Sequence, residues 1–303
     1  MARKRKKGWL DQLANISIVS LLVNPVTLML CVCAISIALW NRHHHRLDLP
    51  VNQPINQQVL YLNPTPEWIK TDIRNVAIRE SQLEEILLGE PRAVEMVAAS
   101  FAVQPWVKSV QQIRKTTTGI HVDLLYRCPT ALVEIGNDAL YPVDDEGVVL
   151  DSRDFELPDS IRDYWRIWVP RPMTRGLMAG RRWDDMRVTD SINIANAWHG
   201  KHRDAGLIHI VNRSEPTRDR MRLTYYELWT PKGTKIIWGN PPGYEVAGEA
   251  SANDKIQAIF EFIKSDGPLD KSGIRHYDVR GGVLVRSKAH LASEQAAFVK
   301  LKF

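Results

Sequence analysis

From Ile16 to Trp40 the chain reads ISIVSLLVNPVTLMLCVCAISIALW, without one charged residue. No other feature narrows the possible folds as much, because water solvates such a run poorly and it needs an apolar surrounding. At about 1.5 Å of rise per residue, a helix of this length crosses a hydrocarbon layer about 30 Å thick with some tilt. Asn24 and Pro25 interrupt the run, and lipid-embedded helices tolerate such a kink. A cleaved signal peptide would carry an apolar stretch of only ~7–15 residues before a small-residue site. This run is longer and ends in Trp40, Arg42 and the histidines 43–45. The sequence therefore predicts a single uncleaved transmembrane helix over 16–40.

Charge then orients it. Arg3, Lys4, Arg5, Lys6 and Lys7 precede the run, while Arg42 and Arg46 follow it. A basic block of this kind suits either a nucleic-acid tail or the cytoplasmic flank of a membrane helix. The apolar run beside it favours the flank. The positive-inside bias places a basic tail, 1–15, in the cytoplasm and the bulk of the chain outside a plasma membrane. With 303 residues, 44% of them hydrophobic and 25% charged, that bulk is large enough for two packed units. Cys31 and Cys33 lie in the apolar run, leaving Cys128 with no intrachain disulfide partner outside it. Cys128 reads as a buried small hydrophobe.

Residues 41–67 are rich in Pro, Asn and Gln without a helix or strand period, and read as an extended linker. The first unit is expected over 68–153. Ile69, Ile73, Val76 and Ile78 suggest a strand. Ser81 to Glu84 has the form of a capping box, and Pro91 opens a helix with Val94, Val97, Ala98 and Phe101 on one face. Strand-like alternation follows at Val110–Lys115, Ile120–Leu124 and Ala131–Ile135, then a hairpin around Asp144–Gly147. The order is β-α-α-β-β with an added hairpin. The second unit, 154–288, begins with an aromatic, Arg-rich crossing. It continues with a helix over Met186–His199, strands at Leu207–Val211, Leu223–Thr230 and Thr234–Trp238, and a helix capped by Ser251. Ile274–Arg280 and Gly282–Arg286 form a last pair of strands. The fold class is α+β, the second unit a mixed α/β domain on a mainly antiparallel sheet. The tail 289–303 has no assigned shape.

Taken together, a basic tail, one membrane helix, a β-α-α-β-β module and a mixed β domain resemble the FtsQ/DivIB family of bacterial cell-division proteins. Pro105-Trp106-Val107 matches that family's motif at the end of the second helix. IRKTTTGIHVDLLYRCPTALV is similar to its strand–turn–strand segment, through Arg127, Pro129 and Ala131. LYPVDDEGVVLD and IRHYDVRGGVLVR resemble two later segments, with Asp278 and Arg280 in the acidic and basic places. The glycine usual after the first strand is missing, and Tyr126 stands where relatives often carry an acid.

The resemblance implies a POTRA domain followed by a β domain. It also implies a bitopic scaffold at the division septum, binding small coiled-coil membrane proteins of the FtsB/FtsL type and helping to regulate septal wall synthesis. Binding would use β-augmentation of an open sheet edge. The family's last β-domain strand maps onto Gly282, Val283, Leu284, Val285 and Arg286, with Arg280 close by as a cation for an acidic partner. Trp106 and Val107 read as core-facing rather than contact residues. A POTRA-bearing envelope chaperone or secretion accessory is the competing class.

Catalysis finds little support in the residues. Adjacent His43, His44 and His45 cannot converge on one tetrahedral metal, and His199 and His202 suit the negative end of a helix. A wall hydrolase would need two carboxyls about 5–10 Å apart across a cleft, and the acids here are spread over turns and caps. The expectation is a non-enzymatic binding protein with no cofactor, metal, nucleic acid or small-molecule substrate.

Overall fold

The computed structural model describes residues 25–44, 52–116, 118–136, 139–155, 164–216 and 222–287. The expected basic tail 1–15, the first part of the apolar run (16–24) and the tail 289–303 lie outside the described residues. Helix α1, Pro25–His44, takes up the rest of that run and is exposed along Leu28–Trp40. Among the described residues no helix is long and apolar enough to cross a membrane, which corrects the transmembrane helix expected over 16–40. The reason is local. The described helix, Pro25–His44, takes in polar Asn41, Arg42, His43 and His44 in its last turn, which shortens its apolar stretch.

Residues 41–67, expected as a linker, contain the first strand, β1 (Leu60–Leu62). Next come helix α2 (Ile73–Glu80), a 3-10 turn at Leu83–Glu85, helix α3 (Ala93–Ala102), and strands β2 (Val107–Lys115) and β3 (Ile120–Tyr126). The stretch at Ile73–Ile78 is thus helix, not strand. Asp72 caps it by accepting from the Asn75 N–H, and Ile73, Ala77 and Ile78 point inward. Ser81 ends this helix instead of opening the next. The small sheet has the order β1-β3-β2, with β1 parallel and β2 antiparallel to β3. Its core joins Leu60, Ile73, Ala77, Val97, Phe101, Ile120 and Val122. Trp106 and Val107 are buried in the same cluster, where the Trp106 ring stacks near Phe155 at 6.2 Å between centroids.

The larger sheet starts inside the segment 68–153. Strands β4 (Pro129–Ile135) and β5 (Ala139–Asp144) belong to it, followed by β6 (Trp165–Trp168) and helix α4 (Met186–Ala197). Then come β7 (His209–Pro216), β8 (Arg222–Trp229), β9 (Lys235–Gly239), helix α5 (Ala252–Asp266), β10 (His276–Asp278) and β11 (Val285–Arg286). The order is β11-β10-β9-β8-β7-β6-β4-β5. The sheet is mixed rather than mainly antiparallel: β4–β6, β6–β7 and β9–β10 pair parallel, the other neighbours antiparallel. Parallel neighbours need crossovers, and α4 and α5 serve the last two of these pairs. One face carries Val133, Ile167, Ile210, Leu228, Ile236 and Tyr277 and packs against Val188 and Ile192 of α4, its C-cap Trp198, and Ile259 of α5.

Arg127, just after β3, joins the two sheets. Its Nη1 reaches the fully buried carboxylate of Asp144 at the end of β5, and Glu146 at 3.1 Å. Lys108 of β2 bonds Asp145 at 3.0 Å. Cys128, in the short link between β3 and β4, is exposed, which corrects its expected burial.

Candidate functional site

The last two strands form a hairpin at the end of the larger sheet. In β10–β11, Tyr277 lies opposite Arg286 and Asp278 opposite Val285. Only Val285 and Arg286 are strand, so Gly282–Leu284 form the approach to it instead of extending the ladder. The turn between them is pinned twice: the Gly282 N–H donates to the Val279 carbonyl at 3.0 Å, and the Arg280 carbonyl accepts from the Ala250 N–H at 2.7 Å. Gly282 has φ +76, and a Cβ there would sit 3.1 Å from the Ala250 Cβ, so the turn asks for glycine on both counts.

Register decides which backbone groups remain outside. The Ser287 N–H donates to the His276 carbonyl at 2.8 Å, making 287/276 a hydrogen-bonded pair. Such pairs alternate in an antiparallel ladder. Val285 therefore turns its N–H inward toward Asp278, and Leu284 and Arg286 direct theirs away from the sheet. Independent support comes from β9, where the Ile237 carbonyl accepts from the Val279 N–H at 3.1 Å, so odd-numbered β10 residues point the other way.

The six residues singled out from sequence divide by role. Leu284 is 8% exposed and joins the core beside Tyr277 and Val279. Val283 and Val285 are 64% and 53% exposed. Arg286 is exposed. Arg280 is already engaged: its Nη2 lies 2.6 Å from Asp278 Oδ2 and its Nε 3.1 Å from Oδ1. Burial by itself would raise the Asp278 pKa, but the Arg280 hydrogen bonds outweigh it and hold the carboxyl below its ordinary value. Gly282 shapes the turn.

Behind the hairpin sits a buried polar group that the sequence reading missed. Lys255 on α5 is fully buried, and its Nζ donates to Glu249 Oε1 at 2.7 Å and lies 4.9 Å from the centre of the Trp238 ring. Glu249 also accepts from the Asn240 N–H at 2.8 Å, Asn240 Nδ2 at 2.7 Å and the Val246 N–H at 3.2 Å. Burial pushes the Glu249 carboxyl up, but the bonds from Asn240 and Lys255 more than offset it, and the group ionises below its usual range. Gly239 makes room for it: with φ +94, a Cβ there would lie 2.1 Å from Glu249 Oε1. This group fixes the 240–249 loop, and the next residue, Ala250, holds Arg280. The signal was legible, since Lys255 lies four residues before Ile259 on the inward stripe of the helix.

Two other described sheet edges, β5 and β2, are less open. Outside β5, Val143 bridges Val149 and the Leu150 N–H bonds the Pro142 carbonyl. Strand β2 carries register shifts at Val107/Ser109 and Val110/Gln112, the kind of bulge that discourages edge pairing. His199 and His202 lie around the end of α4, where His202 is buried and stacks on Trp165 at 4.4 Å. No known family model matches the chain, and no curated protein is similar to it.

Proposed function

We propose that this chain is a non-catalytic docking protein of the FtsQ/DivIB kind. Its β11 edge receives an extended segment of a small coiled-coil division protein of the FtsB/FtsL type, and the complex helps to regulate septal wall synthesis. One observation carries the reading: among the described residues the larger sheet ends in a strand whose Leu284 and Arg286 backbone groups point outward beside exposed Val283 and Val285. An incoming strand would gain affinity from main-chain hydrogen bonds and selectivity from alternate side chains. The order strand–helix–helix–strand–strand in the small module, with Pro105-Trp106-Val107 leading from the second helix into β2, supports this reading.

Register chooses the test. A proline at Val285 would break an inner bond to β10, whereas Arg286→Pro removes an outward N–H and leaves the inner ladder intact. Each ladder bond is worth about 0.5–1.5 kcal/mol net. Arg286→Pro should therefore weaken capture of the coiled-coil partner by about tenfold, with an unchanged melting temperature. Equal capture by the folded variant would refute the edge. Capture of many unrelated extended peptides would instead favour an envelope chaperone. A fluorescent fusion of the full chain is expected to gather at midcell.

A further inference from the structure

The aromatic, Arg-rich crossing that leads into α4 has no place in the docking reading. Residues 170–183 read PRPMTRGLMAGRRW, with Arg171, Arg175, Arg181 and Arg182 and no acid. All four arginines are exposed, and none of them forms an ion pair among the described residues. Arg127, Arg166, Arg187 and Arg280, by contrast, each meet a carboxylate. Beside the free guanidiniums, Met173 and Met178 are 54% and 58% exposed, and Met186 at the start of α4 is 77% exposed.

These side chains stand on an ordered frame. The Gly180 N–H donates to the Val149 carbonyl at 2.8 Å, the Val149 N–H to the Arg181 carbonyl at 2.9 Å, and the Trp183 N–H to the Gly147 carbonyl at 2.9 Å. Trp183 is buried, and its Nε1 donates to the Met173 carbonyl at 2.9 Å, which draws the two ends of the segment together. Asp185 accepts from the Met173 N–H at 2.9 Å. A backbone fixed in advance loses little freedom when a partner binds. Val149 bridges Val143 of β5, so the segment lies at the β5 end of the larger sheet. Seven strand spacings of about 4.8 Å separate that end from β11.

Guanidinium forks fit carboxylates two bonds at a time, and methionines adapt to irregular apolar surfaces. Arg and Met are both enriched where proteins meet, and acids are depleted there. A segment seated in a bilayer surface would instead present Trp, Phe or Leu to the lipid. Here Trp183 is buried and Leu177 packs against the larger core. We propose that 170–183, together with Met186, docks an acidic amphipathic segment of another polypeptide. Its carboxylates pair with Arg171, Arg175, Arg181 and Arg182, and its apolar side chains cover the methionines. This surface stands apart from the β11 edge and does not depend on what binds there.

Fluorescence polarisation of a labelled synthetic peptide, built of alternating Glu-Glu and Leu-Leu pairs, tests this on the full chain. Arg175→Glu/Arg181→Glu disturbs no bonded side chain and should weaken binding at least about tenfold. Arg92→Glu/Lys232→Glu makes the same change of charge at exposed positions elsewhere and should leave binding nearly unchanged. Met173→Gln/Met178→Gln keeps every charge, and should weaken binding severalfold even at high salt. Equal weakening by the two charge variants, or no effect of the methionine variant, would overturn the proposal, because attraction between net charges would then suffice. A dimer in sedimentation that Arg175→Glu/Arg181→Glu splits would overturn it too, since the occupant would be a second copy. So would release of that variant from phosphatidylserine vesicles with peptide binding intact, which would assign the surface to lipid. Arg286→Pro should leave peptide binding intact, and a loss there would move the peptide to β11 and overturn the proposal.

Discussion

Glu249→Ala should lower unfolding stability by about 3–5 kcal/mol, the usual cost of stranding one member of a buried ion pair. The substitution leaves the Lys255 ammonium inaccessible to water beside Trp238, and removes the acceptor of the Asn240 and Val246 N–H groups. Glu249→Gln/Lys255→Met should recover much of the loss, since both charges go while an amide oxygen remains for Asn240. Urea titrations of the wild type, Glu249→Gln, Lys255→Met and the double variant measure the coupling. A loss below about 1 kcal/mol in Glu249→Ala would contradict the burial and bonding described. The pH dependence has a fixed sign. The folded-state pKa of Glu249 is depressed, so its contribution is present above the unfolded value of about 4.3 and is lost as pH falls through the folded value. The wild-type chain should therefore lose stability on acidification in a window that Glu249→Gln narrows. Because the loop fixed by Glu249 leads into the Ala250–Arg280 bond, Glu249→Ala should also speed amide exchange in the β10–β11 turn.

Asp144→Ala is expected to cost about 3 kcal/mol, for a different reason. Asp144 is fully buried and its Oδ1 accepts from the Val148 N–H at 2.7 Å and the Glu146 N–H at 3.0 Å, while Oδ2 meets Arg127. Removal orphans two turn amides and leaves Arg127 only Glu146, which is half exposed. Arg127 also ties back into the small module, where its N–H bonds the Trp106 carbonyl at 2.8 Å and its carbonyl accepts from Trp68 Nε1 at 3.2 Å. The substitution should therefore loosen the join between the sheets more than either core. Denaturation followed by fluorescence of Trp68 and Trp106 against that of the larger unit should separate into two steps. A single transition at the wild-type midpoint would count against the clamp.

Local elements were largely readable from residues. Asp185 caps α4 by accepting from the Arg187 N–H, Ser251 caps α5, and Ile120, Val122 and Leu124 alternate inward along β3. Each depends on neighbours a few positions away. Two errors had the same local origin. Ile69–Ile78 has enough β-branched residues to suggest a strand, and the Asp72 cap tipped Ile73–Glu80 into a helix. The charge-free run suggested one long spanning helix, but the described helix runs on into polar residues 41–44 and is not long and apolar enough to cross a membrane.

Sequence alone thus determined most of the helices, the alternation of the strands and the apolar character of the last hairpin, because short-range sterics and hydrogen bonding govern these. Tertiary structure decided that β4 and β5 join the larger sheet, that Lys255 is enclosed against Glu249, and that Arg286 rather than Val285 offers its N–H outward. Alternation tells which face a side chain takes. The direction of the backbone groups depends on register with a distant strand, and no local pattern encodes that phase.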